Sequence, residues 1–386
     1  MRVCIIYDCL YPYTVGGAER WYRKLAERLV AEGHDVTYVT LRQWDRGTHP
    51  DIDPRVRVVA VGARMALYAR GGRRRILPPL VFGFGVLAHL LRHGRDYDVV
   101  HTCSFPYFSL LAAAPLQPRF GYRLIVDWWE VWSDSYWRDY LGRFGGAVGL
   151  LVQRRCVRAA QHAFCFSRLH AGRLAAEGMD PPPTLLQGAY TGTLDVAAGN
   201  GADPLVVFAG RLIPEKRAVA IAPAVELAAS SVPGLRGIIF GAGPQRPAVL
   251  ASIAALERPE LMSAPGFVPG AEVESALRRA LAMVLPSRRE GYGMIVIEAA
   301  AYGTPSIVVS GSDNAAVELI EDGVNGVKTS SADPVDVAAA IIRIYEAGPA
   351  LRERTRDWFA RNAMRLSLEG SLETILASYA PDSARR

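Results

Sequence analysis

Short apolar runs recur along this chain, and each is followed by a turn and then by a stretch with helical periodicity. In the first half they lie at Val3–Tyr7, Val36–Thr40, Val56–Val61, Val99–His101, Leu124–Asp127 and Ala163–Ser167. Runs this short read as strands buried on both faces, and strand–helix–strand alternation joins such strands in parallel. The expected fold class is therefore α/β, with a doubly wound parallel sheet that binds ligands at the carboxyl ends of its strands. The pattern then breaks at Pro181-Pro182-Pro183 and at Val196–Pro204, a stretch rich in Ala, Gly, Asn and Asp that reads as a linker. It restarts at Leu205–Ala209, Gly237–Phe240 and Met283–Pro286. A chain of 386 residues is long enough for two cores of ordinary size, so two Rossmann-like domains are expected.

The turns between these elements carry the candidate chemistry. Gly16 and Gly17 stand between the first strand and a helix over Ala18–Glu32 that Gly33 closes. The Gly-x-Gly-x-x-Gly spacing is absent there, which argues against a dehydrogenase cofactor. In the second half, the strand ending at Ala209 runs into Gly210-Arg211-Leu212-Ile213-Pro214-Glu215-Lys216. An arginine and a lysine five apart across such a turn can both address one diphosphate, the first as a fork and the second as a point charge. Only Lys24, Lys216 and Lys328 are lysines among the 44 basic residues, so Lys216 stands out from an arginine background. The third turn is Glu290-Gly291-Tyr292-Gly293, followed by a helix over Met294–Tyr302 that Gly303 and Pro305 stop. A helix start presents unpaired N–H groups and the positive end of the helix dipole, and glycines let a bulky anion come close. Glu290 in the turn and Glu298 about one turn into the helix add two carboxylates that can accept from hydroxyls. Phosphate beside several hydroxyls describes a nucleotide sugar.

Glu-Gly-Tyr-Gly-Met, a second Glu eight positions after the first, Ala-Tyr-Gly-Thr-Pro, Glu318 and Asp322-Gly323-Val324-Asn325-Gly326 together resemble the retaining glycosyltransferases of family 4. The likeness is strong after about Pro204 and looser before it. It implies the two-domain fold known as GT-B. It places an acceptor-binding domain at 1–195, a donor-binding domain at 203–364, and a last helix, about 365–386, crossing back onto the first. It implies that Arg211 and Lys216 hold the leaving diphosphate, that Glu290 holds sugar hydroxyls and that Glu298 holds the ribose. Gly16, Gly17, Gly210, Gly241, Gly291, Tyr292, Gly293, Met294 and Ile295 would border the donor, with the backbone of Phe267 and Val268 reading the base. No cofactor or metal is implied beyond the nucleoside diphosphate sugar itself, and the acceptor is a hydroxyl of unidentified class.

Asp127-Trp128-Trp129-Glu130-Val131-Trp132, with Trp137 beyond, gathers four of the seven tryptophans at a strand end. Aromatic faces stack on sugars or cover apolar acceptors, so Trp128, Trp129 and Glu130, with His101 on the preceding strand, read as a sugar or acceptor wall, with ordinary core packing as the rival. Many family members carry a histidine near the donor C6 hydroxyl where this chain has Trp129, which points to a donor lacking that hydroxyl. The cluster Arg70, Arg73, Arg74 and Arg75 before an apolar segment points to contact with an anionic membrane. The longest apolar stretch, Ile76–Leu91, is too short to span one, so a cytoplasmic or peripheral protein is expected. Five scattered cysteines suit a reducing compartment, and a net charge of +6 without any aromatic-basic motif is weak ground for nucleic-acid binding. Two rivals remain from the sequence: a sugar-nucleotide epimerase of the same fold, and a non-catalytic membrane or polyanion binder.

Overall fold

A computed structural model describes residues 1–45, 47–66, 75–194 and 201–380 of the chain. Contacts divide these residues into two units. The first holds those up to Thr191 and again from Ser367, and the second those from Gly192 to Leu366.

The first unit is built on seven strands: β1 (Arg2–Ile6), β2 (Asp35–Thr40), β3 (Arg57–Ala60), β4 (Val99–Cys103), β5 (Arg123–Trp128), β6 (His162–Cys165) and β7 (Thr184–Leu185). They pair in parallel in the order β3-β2-β1-β4-β5-β6-β7. The order reverses between β1 and β4, which is where a doubly wound sheet opens a crevice at its carboxyl edge. Val3 to Ile6, Val99 and Val100 are fully buried, as expected of strands covered by helices on both faces. The Gly17–Ala31 helix contributes Trp21, Tyr22, Leu25 and Leu29 to that cover, at a helical i, i+4 spacing.

The second unit has β8 (Asp203–Ala209), β9 (Arg236–Phe240), β10 (Met262–Gly266), β11 (Ala280–Leu285), β12 (Arg289–Glu290), β13 (Ser306–Val309), β14 (Asp313–Asn314) and β15 (Gly326–Thr329). Six form a parallel sheet in the order β10-β9-β8-β11-β13-β15, with its reversal between β8 and β11. β12 and β14 form a separate parallel pair above that edge. The Ile221–Ala228 helix and the front half of the Pro334–Leu366 helix bury Ile221, Val225, Val337, Ile341 and Ile344 against this sheet.

Two elements of the second unit depart from regular helix, each for a local reason. Lys216 does not lead straight into a helix. It ends a 3-10 turn, Pro214–Lys216, and Arg217 takes a left-handed conformation (φ 48) before a second turn and the helix at Ile221. The helix from Pro334 is interrupted at Gly348 (φ 60), beside Pro349, and runs on to Leu366. Ser367 then caps a new helix, Leu368–Tyr379, by accepting from the Gly370 N–H. That helix is tied into the first unit. Leu368 N–H donates to the Tyr190 carbonyl, Ser371 to the Gly188 carbonyl, and Glu369 pairs with Arg28. Of the linker read at 196–204, residues 196–200 lie outside the described residues. Among the described residues no helix is long and apolar enough to cross a membrane.

Candidate functional site

The glycine turns of the second unit sit where the sheet topology requires a ligand site. Gly210 follows β8 and Ser287 follows β11, the two strands that flank the reversal in order. Gly241, at φ 138 after β9, is held against the Gly210 turn: a Cβ there would fall 1.9 Å from the Gly210 carbonyl oxygen, so only glycine fits. The loop after β11 is fastened to the loop after β8 by the Arg288 N–H, which donates to the Glu215 carbonyl at 2.8 Å. It is fastened from the other side by Asn314, whose Nδ2 donates to the carbonyls of Ser287 (3.1 Å) and Val309 (2.8 Å).

This fastening brings Lys216 and Glu290 together. Lys216 Nζ lies 2.5 Å from Glu290 Oε1, and Ser287 Oγ donates to the same oxygen at 2.7 Å. The side chains are 17% and 10% exposed, so the pair is sheltered but not sealed. Gly293 then turns the chain at φ 100 into the Met294–Ala301 helix, whose first turn no side chain caps. Uncapped N–H groups at a helix start are ready donors to an anion. Gly293 is confined as well as turned, since a Cβ would sit 2.6 Å from the Ala316 methyl. Gly291, Tyr292 and Met294 are buried and shape the turn, while Ile295 and Glu298 are half-buried on the helix.

Arg211 is exposed on the β8 loop. Two further cations, Arg217 and Arg288, carried no sequence signal. Burial, with the Arg288 charge adding to it, pushes the Arg217 guanidinium below its ordinary value. Two like charges held within mutual reach would be relieved by a polyanion. Phe267, just past β10, is 64% exposed and Val268 is half-buried, so this segment can offer both backbone and an aromatic face. Ser287 bonds Glu290 only three residues on, within reach of a local reading, whereas Asn314, which holds the loop, was missed because its contact with Ser287 spans 27 residues and is invisible to local pattern.

In the first unit, Gly16 and Gly17 do begin a helix at the carboxyl edge, again without a side-chain cap. The Glu19 carboxylate lies over Gly16, 2.3 Å from where a Cβ would stand, and so occupies the space beside that helix start. Two members of the expected aromatic wall are corrected. His101 is fully buried on the central strand β4: its Nε2 hydrogen-bonds Asp127 Oδ1 at 2.9 Å and its Nδ1 hydrogen-bonds the Tyr379 hydroxyl at 2.6 Å. Trp128 is likewise fully buried and donates to Gln161 at 2.9 Å. The end of β5 decides this, because the strand is covered on both faces and Asp127 and Trp128 are its last residues, both inside the sheet. Trp129, one residue past the strand, is half-buried and stacks on Phe166 with ring centroids 3.7 Å apart, while its buried Nε1–H has no hydrogen-bond partner among the described residues. Glu130 accepts from Trp132 Nε1 at 3.0 Å and so braces its own loop. Arg70, Arg73 and Arg74 lie outside the described residues, and Arg75 is exposed. Among the described residues no group of three or more His, Cys, Asp or Glu is gathered as a metal would require.

Two parallel doubly wound units, the second with a cationic glycine turn at its order reversal, define the GT-B class of sugar transferases. The sequence comparisons give the family within it. Residues 16–186 match the model described as "Glycosyl transferase 4-like domain", and residues 203–347 match "Glycosyl transferases group 1". The chain belongs to the family-4 glycosyltransferases and is an enzyme of that kind. It is 25% identical to a D-inositol 3-phosphate glycosyltransferase of Acidothermus cellulolyticus, over 96% of this chain and 87% of the relative. It is 24% identical to a glycogen synthase of Mycobacterium tuberculosis, over 92% and 89% respectively. Among solved structures it is similar to a sucrose-phosphate synthase from Thermosynechococcus elongatus (TM-score 0.74, 18% identity, 98% of this chain and 100% of that one). It is also similar to HepE of Anabaena in complex with UDP and glucose (TM-score 0.69, 15% identity, 98% and 100%).

Proposed function

We propose that the chain transfers a sugar, with retention, from a nucleoside diphosphate sugar to a hydroxyl acceptor. The observation that carries this reading is the meeting of Lys216 and Glu290, each from one of the two loops that flank the order reversal, beside an uncapped helix start. A cation and a carboxylate held 2.5 Å apart can address two neighbouring parts of one ligand, Lys216 its phosphate and Glu290 the sugar hydroxyls. The complexes of HepE with UDP and with UDP and glucose support the choice of donor class.

In the reaction, the bond from the sugar anomeric carbon to the β-phosphate oxygen breaks and the acceptor oxygen bonds to that carbon on the same face. The acceptor proton passes to a phosphate oxygen of the departing nucleoside diphosphate. The protein's part is electrostatic: Arg211, Lys216 and the helix start at Met294 meet the charge that grows on the leaving group, with Arg217 and Arg288 adding to the field. Glu298 takes the ribose hydroxyls, and Gly241, Phe267 and Val268 border the base. Nothing in this scheme routes through a divalent cation, because the diphosphate is met by fixed cations.

A panel of nucleotide sugars, screened for thermal stabilisation and slow donor hydrolysis, tests the donor class. The anomeric configuration of the product, read by NMR, tests retention. Lys216→Ala and Glu298→Ala should each lower donor turnover by about two orders of magnitude, since a contact made to a developing leaving group is worth about 3 kcal/mol. Turnover near the parent's in both variants would refute the assignment.

A further inference from the structure

The Asp134–Val157 helix of the first unit is built the wrong way round for a helix that serves only the core. It breaks at Gly142 (φ 77), and the segment after the break lays its smallest residues inward. A Cβ on Gly149 would fall 2.4 Å from the Trp137 ring, and one on Gly146 would fall 2.8 Å from the Trp137 carbonyl oxygen. The large apolar residues face outward instead: Phe144 is 85% exposed, Leu151 69% and Val148 46%. Phe144, Val148, Leu151 and the exposed Arg155 follow one another at i, i+4, i+7 and i+11, which is a single line along the helix, with Arg158 on the same face. A surface helix normally shows the reverse order, apolar inward and polar outward.

Charge says what covers this line. Residues 140–176 contain Arg143, Arg154, Arg155, Arg158, Arg168 and Arg173 and no aspartate or glutamate. The next acid, Glu177, is half-buried and holds Gln153, with Arg154 and Arg173 in its field. The face is therefore apolar over its first two turns, about 10 Å, and basic over the next. A second copy of the chain fits it poorly: set antiparallel, each apolar end would meet arginines, and set parallel, the arginines would meet each other. A lipid surface fits both parts at once, because apolar side chains enter the acyl boundary while arginines reach up to phosphates on long stems.

We propose that this face docks the first unit on a membrane carrying anionic lipid. Phe144 and Leu151 insert, Val148 fills between them, and Arg155 and Arg158 engage headgroup phosphates, with the basic end of the helix lying shallower than the Phe144 end.

Co-sedimentation with vesicles of phosphatidylcholine alone, and of phosphatidylcholine with an equal amount of phosphatidylglycerol, tests this at low and high salt. The full chain should partition onto the mixed vesicles and be released from them by salt. Each arginine near an anionic surface is worth roughly fivefold in partition, so Arg155→Gln with Arg158→Gln should lower binding to the mixed vesicles about 25-fold. Phe144→Ser with Leu151→Ser should lower binding to both kinds by tenfold or more. All four side chains are exposed, so the variants should melt with the parent, and an unchanged melting curve certifies the fold. Two results would overturn the proposal: partition indifferent to lipid charge, or a Phe144/Leu151 variant that binds vesicles like the parent but converts a dimer to a monomer on gel filtration.

Discussion

The sharpest consequence of the site is that Lys216 and Glu290 are energetically one object. At 2.5 Å, two unit charges attract by about 7 kcal/mol at an effective dielectric constant of about 20. Most of that offsets the loss of water around groups only 17% and 10% exposed, and a net coupling of about 2 kcal/mol remains. Lys216→Met strips the cation and leaves Glu290 charged, with Ser287 as its remaining side-chain donor among the described contacts. The second unit should then melt about 4–8 °C lower, at about 2–4 °C per kcal/mol for a domain of this size. Glu290→Gln keeps an oxygen for Ser287 but strands the ammonium, with a loss of similar size. The double variant removes both charges and should cost no more than either single one, so that the two single effects sum to more than the double one by about 2 kcal/mol. Calorimetry suits the measurement, because two units are expected to give separable transitions. Single effects that add to within about 0.3 kcal/mol would show that the two groups do not interact, and the argument that they address one ligand as a pair would fall with them.

Gly293→Ala should cost about 2 kcal/mol or more through the left-handed backbone and the Ala316 methyl, and it should abolish donor-induced stabilisation; an unchanged melting temperature would contradict the confinement. Chelator should leave donor turnover unchanged, and loss restored by added manganese would refute the metal-free scheme. If Trp129 stands where relatives have a C6-binding histidine, a 6-deoxyhexose donor should outrun its parent hexose on the same nucleotide by about tenfold, the worth of one unpaired hydroxyl; a clear hexose preference would end that reading. Burial, with the charges of His93 and Arg57 nearby, pulls the His89 imidazole down to about 4 from its ordinary 6.5. The unfolded chain takes up that proton first, so the stability at stake is whole above pH 6.5 and lost as pH falls toward 4, on the order of 2 kcal/mol after allowance for solvent screening. Thermal melts across that range should show the slope, and His89→Phe should flatten it.

The fold was open to reading from sequence because its cause is local. Strand-length apolar runs separated by helices leave few topologies, and both parallel sheets followed from them. The Glu290–Glu298 segment was readable for the same reason, since glycines, helix start and carboxylates are adjacent in the chain. Asn314, Arg217 and Arg288 were not, because each matters through a contact with a distant loop or with a neighbour whose direction depends on one left-handed residue. The tryptophan cluster misled in part. Composition shows that Trp128 and Trp129 are adjacent, but only the end of β5 shows that the first is enclosed and the second emerges. The outward apolar line from Phe144 was invisible for a related reason: a glycine-rich helix of mixed polarity gives no sign of which side is in.

Tyr379, near the end of the described chain, hydrogen-bonds His101 across 278 residues. The unit whose sheet begins at Arg2 is thus completed by a helix, Leu368–Tyr379, that leaves the ribosome after the whole second unit. As the chain leaves the ribosome, the second unit has its whole sequence available once Leu366 is out, while the first must wait with its central histidine short of a partner. The order of maturation runs against the order of synthesis, and the first unit spends translation without the helix that meets His101 on its central strand β4. A ribosome stalled between Leu366 and Tyr379 would release a protein whose N-terminal half is the unfinished one.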